Sequence, residues 1–473
     1  MKILFVTLSR SEEFSSDPAA DFAGALPPAL AARGHEVVVV VPAASLSLSR
    51  EEARRHRLSL GWRGRSGSGA AYEWKHPGGY TLVGVDAARL GALEEDEEKN
   101  LPERVAAFAR AALVCCKPLN FAPEVIHVND WRLGPVCALL EERFRDLPEL
   151  NGAGTVFTFH DLEGAALFAP DAMMAMELDW SLFTPDQMEF SGKVSFLKAG
   201  LAFADRLTVG SRAYAAEIRS APAGRGLEDL LRDRGDDLRG IPHGLSAGAF
   251  DPRLAPDPAR RFDAQHPGGK ATSKTALQRR LGLPVSDAHP LVAAVMPLSG
   301  RAGFDLILQA ATELLQLDIQ LIIAGRGEEA VEAAVRDLAG RFPHRLAFWP
   351  DGAPAAAAEV LAGADLSLFP AREAPCAPLL LAALRLGAVP VARATGAQAD
   401  WVDDFSHGEG CGFLFEAASA PDLLAALRRG LRHMADARTA AVLRQSGMTI
   451  DLSWELSARR YEAVYREAAA LRR

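Results

Sequence analysis

An α/β chain of two doubly wound, Rossmann-like domains is predicted by three observations. Short valine-rich runs recur along the sequence, helical patterns separate them, and the alternation pauses once and then resumes. Such runs suit strands buried on both faces, as in a parallel sheet. Their alternation with helices argues for βαβ units with right-handed crossovers. At 473 residues the chain is long enough for two full cores.

The first strand is KILFVTLS, opening at Lys2, and an alanine- and leucine-rich helix follows it. EVVVVVP (36–42), YTLVGVD (80–86), EVIHVND (124–130), GTVFTFHD (154–161) and DRLTVGS (205–211) continue the first set. RVAAFARAALVCC (104–116) is one of the helical patterns between them. The glycine-rich stretch 60–79 is expected to be a mobile loop. At 251–290 the alternation stops, and DPRLAPDPARRFDAQHPGGKA reads as a surface connection. LVAAVMPLS (291–299), IQLIIAGRG (319–327), RLAFWPDG (345–352), DLSLFPA (365–371) and AVPVARATG (388–396) form the second set, and a helix closes the chain. The expected division is residues 1–240, 241–455 and a terminal helix, 456–473. Ligands of such sheets bind beyond the carboxyl ends of the strands, so a cleft between the two domains is the expected site.

A formal net charge of −9 leaves no electrostatic footprint for nucleic acid and argues against a basic membrane-binding surface. Five cysteines match no zinc spacing, and their odd number suits a reducing compartment. Most are expected as buried small hydrophobes. KILFVTL lacks a small-residue cleavage site and reads as a strand, and no apolar run reaches the roughly 18 residues of a membrane span. A cytoplasmic location is expected. There is no G-x-S-x-G elbow, Walker sequence or H-E-x-x-H.

Polar residues stand at several strand ends. His160 ends TVFTFH and is a ligand contact, a helix cap or a satisfied core histidine. In HVNDW, Asn129 and Asp130 suit sugar hydroxyls, although Asp130 equally suits a helix cap. Gly325 and Gly327 in AGRGEE permit close approach of a ligand, or serve a tight turn alone. Arg372 and Glu373 in PAREAPCAP fit a phosphate and a sugar, or each other. Thr395 and Gly396 precede a helix, where a phosphate is stabilised. Together these residues suit a nucleotide-sugar enzyme better than a hydrolase. SSDPAADFAGALP (15–27) disturbs the pattern. It lies between a strand and a helix, where an anion site is expected, yet it begins with Ser15, Ser16, Asp17 and Pro18 in place of glycine or lysine.

Over nearly its whole length the sequence resembles bacterial glycogen synthase and plant starch synthase. The resemblance is carried by ADFAGALPPALAARGHEVVVVVP, GTVFTFHDLEGAALF, MEFSGKVSFLKAGLAFADRLTVGSRAYAAEI (188–218), RGLEDLLRDRGDDLRGIPHGLSAGAFDP, GCGFLFEAASAPDLLAALRRGL and SWELSARRYEAVYRE. It implies a GT-B fold, two Rossmann-like domains facing across a cleft. It implies retaining transfer of glucose from ADP-glucose to the end of an α-1,4-glucan, with no metal or other cofactor. His160 matches the family's sugar-contacting histidine, and Asp21, Gly325, Gly327, Arg372, Thr395 and Gly396 match donor-side positions. Asn129, Asp130 and His243 are the acceptor-side candidates.

The same resemblance exposes departures. The family's Lys-Thr-Gly-Gly-Leu loop, which holds the donor phosphates, is Ser15, Ser16, Asp17, Pro18 and Ala19 here. Its arginine and lysine that stabilise the leaving diphosphate are Pro297 and Ala302, with Arg301 one residue early. The carboxylate of Glu-Pro-Cys-Gly is Ala374, with Glu373 one residue off, and the tyrosine near the adenine is Gly352. In Thr-Gly-Gly-Leu the last two residues become Ala397 and Gln398. The expectation is a synthase-like chain with weak or no transfer. One alternative is an active transferase with another nucleotide sugar, using His160, Arg301 and Glu373. Another is a glucan-binding or regulatory partner of an active synthase.

Overall fold

The computed structural model describes the chain except residues 12–14, 16, 63–64, 88–100, 164–165, 247, 249, 407 and 473. Ser16 thus lies outside the described residues. Contacts divide the chain into two units. The first is Met1–Gly210, Ala215–Ile241 and Trp454–Arg473; the second is Ser211–Tyr214 and Pro242–Ser453.

In the first unit the strands are β1 (Lys2–Val6), β2 (Glu36–Pro42), β3 (Arg54–Trp62), β4 (Arg65–Lys75), β5 (Thr81–Ala87), β6 (Val125–Asn129), β7 (Gly154–Thr158), β8 (Leu167–Phe168), β9 (Glu189–Phe190), β10 (Lys193–Ser195), β11 (Arg206–Val209) and β12 (Leu238–Gly240). One sheet runs β12-β11-β7-β6-β1-β2-β5-β4-β3, and a small sheet runs β8-β10-β9. Parallel pairing from β12 to β5 follows from the apolar strands: Phe5 stands opposite Val39 on one side and His127 on the other. Sheet order reverses between β1 and β6, so the loops after these strands open the crevice where doubly wound sheets take ligands. Helix α1 (Pro18–Ala32) follows β1 and buries Phe22, Ala23, Leu26 and Leu30.

The structure corrects the expectation of a mobile loop at 60–79. Much of that stretch belongs to β3 and β4, which pair antiparallel and extend the sheet beyond β5. Leu58 and Leu60 turn inward while Arg57 and Ser59 turn outward, the period-2 pattern of a half-buried strand. Glycine and serine in β4 hide that alternation from composition. The three-stranded sheet β8-β10-β9 has strands too short for periodicity to reveal.

The helix Trp454–Ala470 belongs to the first unit's core. Trp454, Ala458, Tyr461, Val464 and Tyr465 pack with Ile3, Phe5, Phe22, Val125 and Val156. A polar chain crosses this core: His127 Nδ1 lies 2.6 Å from the Tyr465 hydroxyl and its Nε2 lies 2.6 Å from Thr158 Oγ1. Glu462 on the same helix pairs with Arg33 and with His35.

The second unit contains β13 (Leu291–Val295), β14 (Gln320–Ala324), β15 (Leu346–Trp349), β16 (Leu366–Phe369), β17 (Val389–Arg393) and β18 (Phe413–Phe415). All pairs are parallel, in the order β15-β14-β13-β16-β17-β18. Here the reversal lies between β13 and β16. The expected surface connection also needs correction, because Gly268–Arg280 is a helix, α2, with Lys270, Lys274, Leu277 and Gln278 buried. Its buried face is polar, so hydropathy does not reveal it. Lys274 Nζ meets Asp365 Oδ2 at 2.8 Å, and Lys270 Nζ donates to the Leu386 carbonyl at 2.7 Å. Cys115, Cys116, Cys137 and Cys411 are buried free thiols, and Cys376 is partly exposed. Among the described residues no helix is long and apolar enough to cross a membrane.

Candidate functional site

Two groups of candidates stand at the carboxyl ends of the two parallel sheets, one in each unit. In the first unit α1 begins at Asp17, the N-cap, whose carboxylate accepts the Ala19 N–H at 2.9 Å. Pro18, at the first helical position, has no N–H. Ser15 Oγ accepts the Asp17 N–H at 3.1 Å, and the Asp21 carboxylate accepts the Ser15 N–H at 3.3 Å. A helix N-terminus binds anions through unpaired N–H groups and a positive dipole end. In this chain one such donor is missing, another is satisfied by Asp17, and a second carboxylate stands one turn on. Burial pushes the Asp21 pKa up to about 6; the Ser15 N–H opposes this and the neighbouring Asp17 adds to it.

His160 follows β7 and is buried. Its Nε2 lies 2.8 Å from Asn129 Oδ1, and its ring meets Phe22 edge-on at 5.4 Å. Burial, with the nearby Arg132 charge, holds its pKa down at about 3, so the ring is neutral at ordinary pH. Asn129, the last residue of β6, donates from Nδ2 to Thr7 Oγ1 at 3.0 Å and to the Ala19 carbonyl at 3.1 Å. It therefore joins the ends of β1 and β6, the first turn of α1 and His160. Asp130 adopts φ 86; its carboxylate accepts the Arg132 backbone N–H at 2.9 Å and Arg132 Nε at 2.7 Å. That is the capping alternative. His243 is buried in the connection after β12.

In the second unit four neighbouring loops carry the candidates. Arg301 follows β13, and its carbonyl accepts the Arg372 N–H at 2.9 Å, tying the β13 and β16 loops together. Arg372 is exposed, and its guanidinium reaches Asp305 Oδ2 at 2.6 Å. Glu373 is partly exposed, whereas Ala374 beside it is buried. Gly325 sits at φ 146, and a Cβ there would come within 2.0 Å of the Met296 carbonyl oxygen. Gly396 begins the short helix α3 (Gly396–Trp401) at φ 48, and a Cβ would come within 2.0 Å of the Ala374 carbonyl oxygen. Both glycines are required by the packing of neighbouring loops, whatever binds there. Gly327 pairs with Leu298 in an isolated bridge, and Thr395 is the buried N-cap residue of α3.

Sequence reasoning missed Thr7, Asp305 and Arg393. Arg393 donates to the Ala371 and Arg372 carbonyls at 3.3 and 2.6 Å and holds the loop after β16. An arginine ending a buried strand was the available signal. Thr7 and Asp305 give none locally, because each acts on a residue distant in sequence. Among the described residues no three His, Cys, Asp or Glu side chains converge as a metal site would require.

Comparison with known proteins fits this geometry. Residues 2–233 match the starch synthase catalytic domain family, and residues 289–433 match glycosyl transferases group 1. Glycogen synthase of Anaeromyxobacter dehalogenans is 40% identical over 99% of this chain and 100% of its own. Glycogen synthase of Myxococcus xanthus is 35% identical over 99% and 100%. The catalytic domain of starch synthase IV from Arabidopsis thaliana, solved with ADP and acarbose, superposes with a TM-score of 0.86 at 24% identity, covering 99% of each chain.

Proposed function

The chain belongs to the glycogen synthase family of GT-B glycosyltransferases, and we propose that it handles α-glucan while transferring glucose from ADP-glucose weakly or not at all. In this reading it serves as a glucan-binding or regulatory partner of an active synthase. The observation that carries the reading is the N-terminus of α1. Where the family places a lysine and glycine amides on the donor phosphates, this chain has Asp17 on the Ala19 N–H, and Pro18. A carboxylate there repels a diphosphate and competes for the donor that would hold it.

The second unit supports the same conclusion. Pro297 and Ala302 replace the cations that would stabilise the leaving diphosphate, and buried Ala374 replaces the carboxylate near the reacting sugar. In this chemistry the protein acts chiefly through electrostatic stabilisation of developing charge. Removing one such contact costs about 3–4 kcal/mol, and removing several is not additive. Arg372, the retained arginine, is already paired with Asp305.

Calorimetric titration with ADP and co-sedimentation with glycogen test the proposal together. The expected result is glycogen binding with ADP affinity far weaker than that of an active synthase measured in parallel. Tight ADP binding, or no glycogen binding, would count against it.

A further inference from the structure

The hydrogen bonds around Asn129 determine the state of the His160 ring. The Ala19 carbonyl can only accept, so the Asn129 atom 3.1 Å from it is the amide nitrogen. Thr7 donates its own hydroxyl proton to the Ser9 carbonyl at 2.9 Å and so accepts from the same nitrogen at 3.0 Å. Both amide protons are thereby assigned, and the amide oxygen is the atom facing His160. That oxygen only accepts, so His160 Nε2, 2.8 Å away, carries a proton. The ring is buried against Phe22 of α1, and Arg132, whose charge acts on it, is held by Asp130. Burial and Arg132 both disfavour a second proton.

We propose that Asn129 is a positioning residue that locks His160 as the neutral Nε2–H tautomer, a ring without positive charge at the strand-end site. A neutral sugar hydroxyl needs no charge there, and a phosphate oxygen cannot be stabilised by such a ring. Asp17 excludes anions at the same end of the sheet, so both features select a neutral polyol. The identity of that polyol as an α-glucan end rests on the function proposed above; the proton on Nε2 rests on hydrogen-bond geometry, and the ring's neutrality on its burial.

Nitrogen-15 NMR of the histidine-labelled protein tests the lock, with the His160 signals assigned by their loss in His160→Gln. The expected spectrum has a pyrrole-type Nε2 and a pyridine-type Nδ1 from about pH 5 to about pH 8. An Nδ1–H tautomer or an imidazolium in that range would overturn the proposal. Asn129→Ala should release the ring into mixed tautomers and weaken maltoheptaose binding by about tenfold, the equivalent of one hydrogen bond. Asn129→Asp keeps the acceptor, and should keep Nε2–H while letting the ring titrate at higher pH. Unchanged tautomers in Asn129→Ala would overturn the positioning role. A locked ring in a protein that binds no maltoheptaose would uphold the lock and reject the glucan reading.

Discussion

Asp21 shows how far a single side chain departs from solution behaviour. Its pKa rises from 3.8 to about 6, chiefly because burial disfavours the carboxylate. The sign of the stability effect follows. Below pH 3.8 the acid is neutral in folded and unfolded chains and costs nothing. As pH rises the unfolded chain ionises first, and above about pH 6 the full cost is present. Asp21→Asn should therefore stabilise the protein by about 2–3 kcal/mol near neutrality, with a gain that vanishes toward pH 4. Paired melting curves of variant and parent across that range check it; a variant that melts lower at neutral pH contradicts it. His160, with its pKa lowered to about 3, destabilises on acidification over an overlapping range, so only the difference between the two proteins isolates Asp21. The chemistry of the α1 N-terminus was legible in SSDP, because proline lacks an N–H and aspartate caps a helix with a negative charge. The role of Asn129 was not, since its partners Thr7, Ala19 and His160 are brought to it only by sheet order.

Elements were legible where composition and burial agree. EVVVVVP could only be a doubly buried strand, and it is β2. They were illegible where polar residues face inward or small residues blur the period. In α2, Lys270 closes on the Ala362 and Leu386 carbonyls and Lys274 on Asp365, so a helix with a buried face reads as a charged linker. β4 hides its pairing behind glycine and serine. The loops at the second sheet's edge carry a prediction at this scale. Gly325→Ala should destabilise the second unit by about 2–4 kcal/mol, because the added Cβ meets the Met296 carbonyl and φ 146 excludes an L side chain. Chemical denaturation measures this, and a variant as stable as the parent would contradict the packing account. Tyr465→Phe removes the hydroxyl on His127 and should cost about 1–2 kcal/mol by the same measurement.

At the scale of the whole chain, the family's scaffold is kept in one mixed nine-stranded sheet and one parallel six-stranded sheet, and the function proposed above turns on the charges at their strand ends. The C-terminal helix ties sequence to fold over the longest span: Tyr461 and Tyr465 are fully buried against strands from the beginning of the chain. Truncation after Ser453 should leave the first unit unable to fold, seen as loss of its cooperative unfolding transition; retention of that transition would contradict the assignment of the helix to this core. The scaffold was legible because its segments keep the family's pattern; the departures in charge are read against that pattern and belong to the function proposed above. The central claim concerns what those charges do. Purified protein with ADP-glucose and glycogen, assayed for ADP release beside an active synthase, tests it most directly. The account predicts no release above a small fraction of the control. Turnover near the roughly 10 per second typical of enzymes would contradict it.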